Sequence, residues 1–236
     1  MSELYTQTSL VCQVFWGLLA CEILNQKSRE VTELTTVRKI KDIIKTLYSE
    51  SPMQLLHHSS WLLHWCLVFS FTADKSNGLF AALLADKQNF GDTYLNVVQL
   101  RSPQLMRYMI AAFLLGRSSY QPQPTASSSR TPISLLQKDA LQTIALPIVL
   151  AEKPAYSDVF TQFTEALLED FDFEEALLLA AQIGEQASND VLLKSHAAEI
   201  KRQAYLYIFE VQCRLMYQSP QETGLSLSDF CKEYGI

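Results

Sequence analysis

Glycine is scarce in this sequence: seven residues in 236, at positions 17, 78, 91, 116, 184, 224 and 235. No two lie close enough to build a phosphate-cradling loop, because the dinucleotide and P-loop motifs both need clustered glycines. An all-β fold, which uses glycine at its turns, is disfavoured for the same reason. Charge is thin as well, at 19% against 48% hydrophobic residues, so much of the chain should be buried. No apolar run reaches the roughly 20 residues that cross a bilayer. The longest, WLLHWCLVFSF, covers residues 61–71. The amino terminus, MSELYTQTSL, lacks the basic stretch and apolar core of a secretory signal. Five cysteines, an odd number without a C-x-x-C pair, predict free thiols in a reducing compartment. These absences predict a soluble, cytoplasmic protein that uses no nucleotide cofactor of the usual kinds.

What is present reads as helix after helix. Residues 10–24 are apolar at helical spacing, and 31–48 place Val31, Leu34, Val37, Ile40, Ile44 and Leu47 on one stripe. Ser51-Pro52, Ser102-Pro103 and Thr131-Pro132 each put a capping residue before a first-turn proline. A short helix is predicted at LFAALLAD, and further helices at 132–150, 157–169, from Asp172 as N-cap, 189–217 and 226–234. That makes nine to eleven helices and no strand, an all-α chain. Short turns between them suggest antiparallel pairs in an α-solenoid. The stretch 117–132, RSSYQPQPTASSSRTP, has no apolar period and reads as a flexible loop between a helical part at 1–116 and a second at 133–218.

The acidity is confined to one end. Residues 152–236 hold six Lys and Arg against fifteen Asp and Glu, a net −9 in a chain of net −6. A phosphate backbone would be repelled there. Within that segment Glu165, Glu169, Asp170 and Glu174 form a cluster that suggests a solvated helix face or a docking patch for a basic partner. It is not a calcium loop, because Glu175 stands where such a loop from Asp170 needs glycine.

The stretch LLHHSSWLLHWC, residues 55–66, raises the question of a metal. On one helix His57 and His64 share a face but lie about 10 Å apart along the axis. His57 and His58 point about 100° apart. Helical zinc motifs use the i, i+4 spacing, which no histidine pair here has. Trp61 and Trp65 do have it, in a helix apolar nearly all round, which predicts core packing. No G-x-S-x-G occurs and no Cys–His arrangement stands out, so no catalytic, cofactor or metal residue is assigned.

The residues from Ser51 to Phe71, SPMQLLHHSSWLLHWCLVFSF, closely resemble a signature of the e-subunit family of eukaryotic translation initiation factor 3, a proline-led helix with a W-L-x-H-W core. FWGLLACEILNQ resembles that family's W-G-x-L-A-x-E-I-L helix. Tyr94-Leu95-Asn96 with Pro103, Arg107 and Tyr108 is similar to its Y-L-N…P-x-x-x-R-Y pattern, DFDFEEA to its F-D-F-x-x-A turn, and Ile208-Phe209-Glu210 with Cys213-Arg214 to its I-F-E-x-F-C-R helix. The resemblance implies a PCI-type helical array and, at 219–236, only the start of a winged-helix segment. It implies that earlier repeats of the array precede the stretch matched here. It also implies no catalysis, and core roles for Trp16, Trp61, His64, Trp65, Tyr108 and Phe209. As partners it implies sister subunits of the factor and, through the complex, the small ribosomal subunit. Membrane and sequence-specific nucleic-acid contacts are not implied. PCI scaffolds of the proteasome lid or the signalosome are the alternative within the same fold. A metal enzyme using His57, His58, His64 or His196 is the alternative outside it.

Overall fold

A computed structural model of the chain describes residues 2–25, 32–72, 79–85, 91–118 and 140–216. These residues are helical, with no strand among them, and they fall into two compact units, Met1–Leu105 and Met106–Ile236. The predicted helix at 226–234, the winged-helix start at 219–236, the Thr131-Pro132 cap and all of the 117–132 loop beyond Ser118 lie outside the described residues.

The first unit comprises α1 (Ser2–Asn25), α2 (Thr32–Tyr48), α3 (Pro52–Thr72), α4 (Leu79–Ala85) and α5 (Gly91–Leu100). Consecutive helices pack, α1 on α2 and α2 on α3, while α3 also meets α4 and α5. The stripe expected of α2 is the side it buries: Val37, Ile40 and Ile44 are 0–2% exposed. Two polar groups go inside with it, each with a partner. Thr36 Oγ1 donates to Glu22 Oε1 of α1 at 3.0 Å. The buried Lys41 holds its ammonium 5.9 Å from the ring centre of Tyr94, a cation–π contact that offsets part of the desolvation. Helix α3 buries Leu62, Leu63, Cys66, Leu67, Phe69 and Phe71, and its Ser70 Oγ accepts from the Phe80 N–H at 3.0 Å, which ties α4 to it. The chain leaves α5 through a turn in which Leu105 N–H donates to the Ser102 carbonyl. Ser102-Pro103 therefore forms that turn, and the next helix begins at Leu105, two residues past the predicted start.

The second unit comprises α6 (Leu105–Ser118), α7 (Leu146–Glu152), α8 (Val159–Leu168), α9 (Phe173–Asn189) and α10 (Ala197–Met216). Arg117, assigned to the loop by sequence, belongs to α6. Its guanidinium pairs with Glu210 and sits 4.3 Å from the Tyr207 ring centre, so α10 draws it into the helix. Helix α7 is preceded by a wide π-type turn at Leu141–Ala145, closed by Leu146 N–H on the Leu141 carbonyl. Pro147 explains it. Its nitrogen carries no hydrogen for the Thr143 carbonyl and its ring crowds that carbonyl, so the preceding turn opens by one residue. The single helix expected at 189–217 is two elements. Asp190 Oδ1 accepts from the N–H groups of Leu192 and Leu193, which stops α9, and a 3₁₀ turn at Lys194–His196 leads into α10. Helix α9 itself begins as its sequence predicts, with Asp172 accepting from the Glu175 N–H at 3.0 Å. Gly184 lets α9 approach α10 closely: a Cβ there would stand 2.8 Å from Lys201 Cδ.

Candidate functional site

Three groupings of polar and aromatic side chains stand out among the described residues. One is a half-buried polar knot in the second unit. Arg107 Nε donates to Asp158 Oδ2 at 2.8 Å, and its Nη1 lies 3.5 Å from Asp190 Oδ2. Tyr156 OH donates to the same Asp158 oxygen and Tyr108 OH to the same Asp190 oxygen, both at 3.0 Å. Both carboxylates also act on backbone. Asp158 caps α8 through the Thr161 N–H at 2.9 Å, and the Thr161 hydroxyl closes the box on the Asp158 N–H. Asp190 shapes the turn before α10. One guanidinium thus joins α6 to the starts of two other segments. Burial opposes the charge on Arg107, but the hydrogen bond it donates to Asp158 and its interactions with Tyr156, Asp158 and Tyr108 together outweigh that, and the pKa moves up. Burial, together with the neighbouring carboxylates, pushes the Tyr108 and Tyr156 hydroxyls up to about 12. A group so fully satisfied is built to hold shape. It leaves no proton acceptor poised for a substrate.

The second grouping answers the question raised by the histidines. They are spoken for one by one: Trp61 Nε1 stands 3.3 Å from His57 Nε2, Arg101 Nη2 lies 2.9 Å from His57 Nδ1, and His58 stacks on Tyr48 with ring centres 4.1 Å apart. His64 Nδ1 meets the Ser60 carbonyl at 2.7 Å within the same helix. Burial, then His57, lowers the His58 pKa. Among the described residues no three His, Cys, Asp or Glu stand together as metal ligands. The four described cysteines are free, and burial pushes the Cys66 thiol up to about 12.

The core role expected of Trp61 needs correction: its side chain is 54% exposed. Trp16, His64, Trp65, Tyr108 and Phe209 are half-buried. On α3 the residues 57, 61, 64, 65, 68 and 72 recur at helical spacing, and all are exposed or half-buried, whereas 59, 62, 63, 66, 67 and 70 are covered. The two tryptophans and the histidine of W-L-x-H-W therefore mark the outer face of the helix. An all-round apolar helix carries no period from which that face can be read.

The third grouping is the acidic turn between α8 and α9. Glu165 is half-buried and paired with Lys153, so its charge is met inside the unit. Glu169, Asp170 and Glu174 are exposed, as are Asp172 and Glu175. In their midst Phe171 takes a left-handed conformation, φ 54°, with its ring 45% exposed. A bulky residue there costs of order 1 kcal/mol.

No family model matches the chain. Curated relatives do. The protein described as the E subunit of eukaryotic translation initiation factor 3 in Emericella nidulans is 32% identical over 212 residues, 90% of this chain and 43% of its own length. That of Botryotinia fuckeliana is 31% identical with the same coverage. That of Neurospora crassa is 29% identical over 233 residues, 99% of this chain and 47% of its own. The chain belongs to the E-subunit family of initiation factor 3. It spans less than half the length of these relatives. Within the chain, Arg107 and Tyr108 of the Y-L-N…P-x-x-x-R-Y pattern prove to be the centre of the polar knot. Sequence reading missed Asp158, Asp190 and Tyr156, the partners that give the pair its purpose. The one signal available was Asp158-x-x-Thr161, a capping box one residue beyond the Ser157 start that was predicted. Arg101 and Tyr48, which engage the two adjacent histidines, carried no local signal.

Proposed function

We propose that this chain is a non-catalytic scaffold segment of translation initiation factor 3, packing against sister subunits and helping to seat the complex on the small ribosomal subunit in the cytoplasm. The observation that carries this reading is the identity of about 30% to E-subunit proteins across at least 90% of the chain. Those relatives are named as subunits of a factor and not as enzymes. The helix pairs α1–α2 and α9–α10 are the units from which a PCI-type α-solenoid is stacked, with the surface offered to partners rather than to a substrate. A proteasome-lid or signalosome role is disfavoured by the names of the relatives.

Glu169, Asp170 and Glu174, with Phe171 exposed among them, are the proposed contact for a basic partner segment. Charge steers such an encounter and the aromatic ring supplies an anchor. Glu165, already paired with Lys153, serves the fold instead. Among the described residues no helix is long and apolar enough to cross a membrane, and the proposal includes no membrane contact. Affinity purification of the tagged protein from native lysate, resolved on a sucrose gradient with mass spectrometry, tests the reading. Co-migration with initiation factor 3 subunits and small ribosomal subunits is the expected result. Migration with lid or signalosome subunits would overturn the assignment and keep the fold.

A further inference from the structure

The chain has three tryptophans, and all of them line one open cleft of about 310 Å³ in the first unit. Trp16 comes from α1, Trp61 and Trp65 from α3, and His58 completes the wall. Water-exposed indoles normally find cover, yet Trp61 is 54% exposed. Two kinds of guest suit such walls. One is a quaternary ammonium, held by the faces of the rings. The other is an unpaired nucleobase, which stacks on them.

The charge at the rim decides between the two. Arg101 is exposed and carries a permanent positive charge 2.9 Å from His57 Nδ1, and the other nitrogen of that ring lies 3.3 Å from the Trp61 indole Nε1. A neutral imidazole accepts at one nitrogen only, so the N–H groups of Arg101 and Trp61 compete for His57 and one is left over for an incoming acceptor. Tyr48, stacked on His58, has the exposed Lys45 one turn before it on the same face. Among the described side chains, the exposed part of α2 adds Arg38 and Lys39 against Asp42, Glu50 follows in the turn after it, and α3 contains no Asp or Glu. A cationic guest would meet Arg101 with no acid on α3 to offset it. An anion linked to a flat ring would find both its parts provided for.

We infer that this cleft takes an unpaired nucleotide of a single-stranded RNA, its base stacked on Trp61 and its phosphate on Arg101. Stacking uses the π face that every base has, so the site selects for single strands and reads no sequence. The inference stands on the cleft alone. A chain that failed to join initiation factor 3 would still bind RNA here, and the two tests fail separately.

Because no tryptophan lies outside the cleft, the intrinsic emission of the full chain reports on this site without a label. Titration with decamers of adenylate and of uridylate at low salt should quench it saturably and to a similar extent, and added salt should weaken the binding. Anisotropy of a labelled decamer gives the affinity independently. Trp61→Ala, at an exposed position, should leave the circular dichroism unchanged and weaken binding about tenfold or more. Arg101→Gln should weaken it severalfold and flatten the salt dependence. Emission unchanged by either decamer at millimolar concentration, or affinity unaltered in Trp61→Ala, would overturn the inference. Free adenosine monophosphate binding as tightly as the decamer would replace the strand by a free nucleotide. Stronger quenching by an acidic, phenylalanine-containing peptide than by either decamer would replace the RNA by a protein.

Discussion

The two units solve the same packing problem with different chemistry. In the first, helices meet mainly through apolar and aromatic surfaces, and the polar links between segments are scattered ones, Thr36 with Glu22, Ser70 with Phe80 and Arg101 with His57. In the second, Arg107 reaches 51 residues along the chain to Asp158 and a further 32 to Asp190, and both carboxylates cap backbone as they accept. Charge-assisted bonds with satisfied partners fix the angles at which segments start, since geometry as well as burial must be right. Apolar faces fix only that segments touch. The difference teaches where this chain tolerates an open surface: the aromatic cleft lies in the unit that lacks the knot.

Arg107→Ala should cost the most, about 3 kcal/mol in a denaturant melt, by leaving the buried Asp158 and Asp190 without their cation. A cost below about 1 kcal/mol would show that the second unit is held by apolar packing like the first. The knot should also fail at high pH. Tyr108 and Tyr156 keep their protons to about 12 in the folded state and to about 10 when unfolded. Stability is therefore fully present below pH 10 and lost as pH rises towards 12, and Tyr156→Phe should shrink that loss in an alkaline titration.

On the other side of the comparison, Trp65→Ala should cost about 2 kcal/mol, below the range for a fully buried tryptophan because the ring is only half-covered. A cost of 4 kcal/mol or more would make the outer face of α3 part of the core. The His58 pKa is lowered from 6.5, so the native state favours the neutral ring. That contribution is present above pH 6.5 and declines as pH falls, and His58→Gln should flatten the acid limb of the stability curve. The two glycines divide the units again. Nothing lies within 4 Å of a Cβ at Gly17, so Gly17→Ala should raise stability by about 1 kcal/mol. Gly184→Ala meets the Lys201 stem and should come out near zero, as displacement offsets the helix gain. Trp61→Ala should likewise change stability by less than about 0.5 kcal/mol, as an exposed side chain does.

Much of the fold was legible from local pattern. The stripe of α2, the extent of α3 from Pro52, the short α4 and the Asp172 cap of α9 all follow from period and capping residues within one segment. What was not legible required another segment. The break between α9 and α10, expected before Asn189, falls at Asp190, which Arg107 and Tyr108 of α6 engage. Arg117 was read as loop because the polar run begins there, and it is helical because Glu210 and Tyr207 receive it. Asp158 could be seen as a cap, but not as half of an ion pair.

That this chain is helical, rich in apolar residues and a member of its family can be read from the sequence, because periodicity, capping and motif identity are properties of short stretches. Packing between segments settles that the tryptophans of W-L-x-H-W lie on the outer face, that Arg107 and Tyr108 serve a half-buried knot, and that Glu165 is already paired. Each of those depends on which surface a distant segment covers, and a helix that is apolar all round, or a lone charge on a half-buried face, does not encode that choice locally.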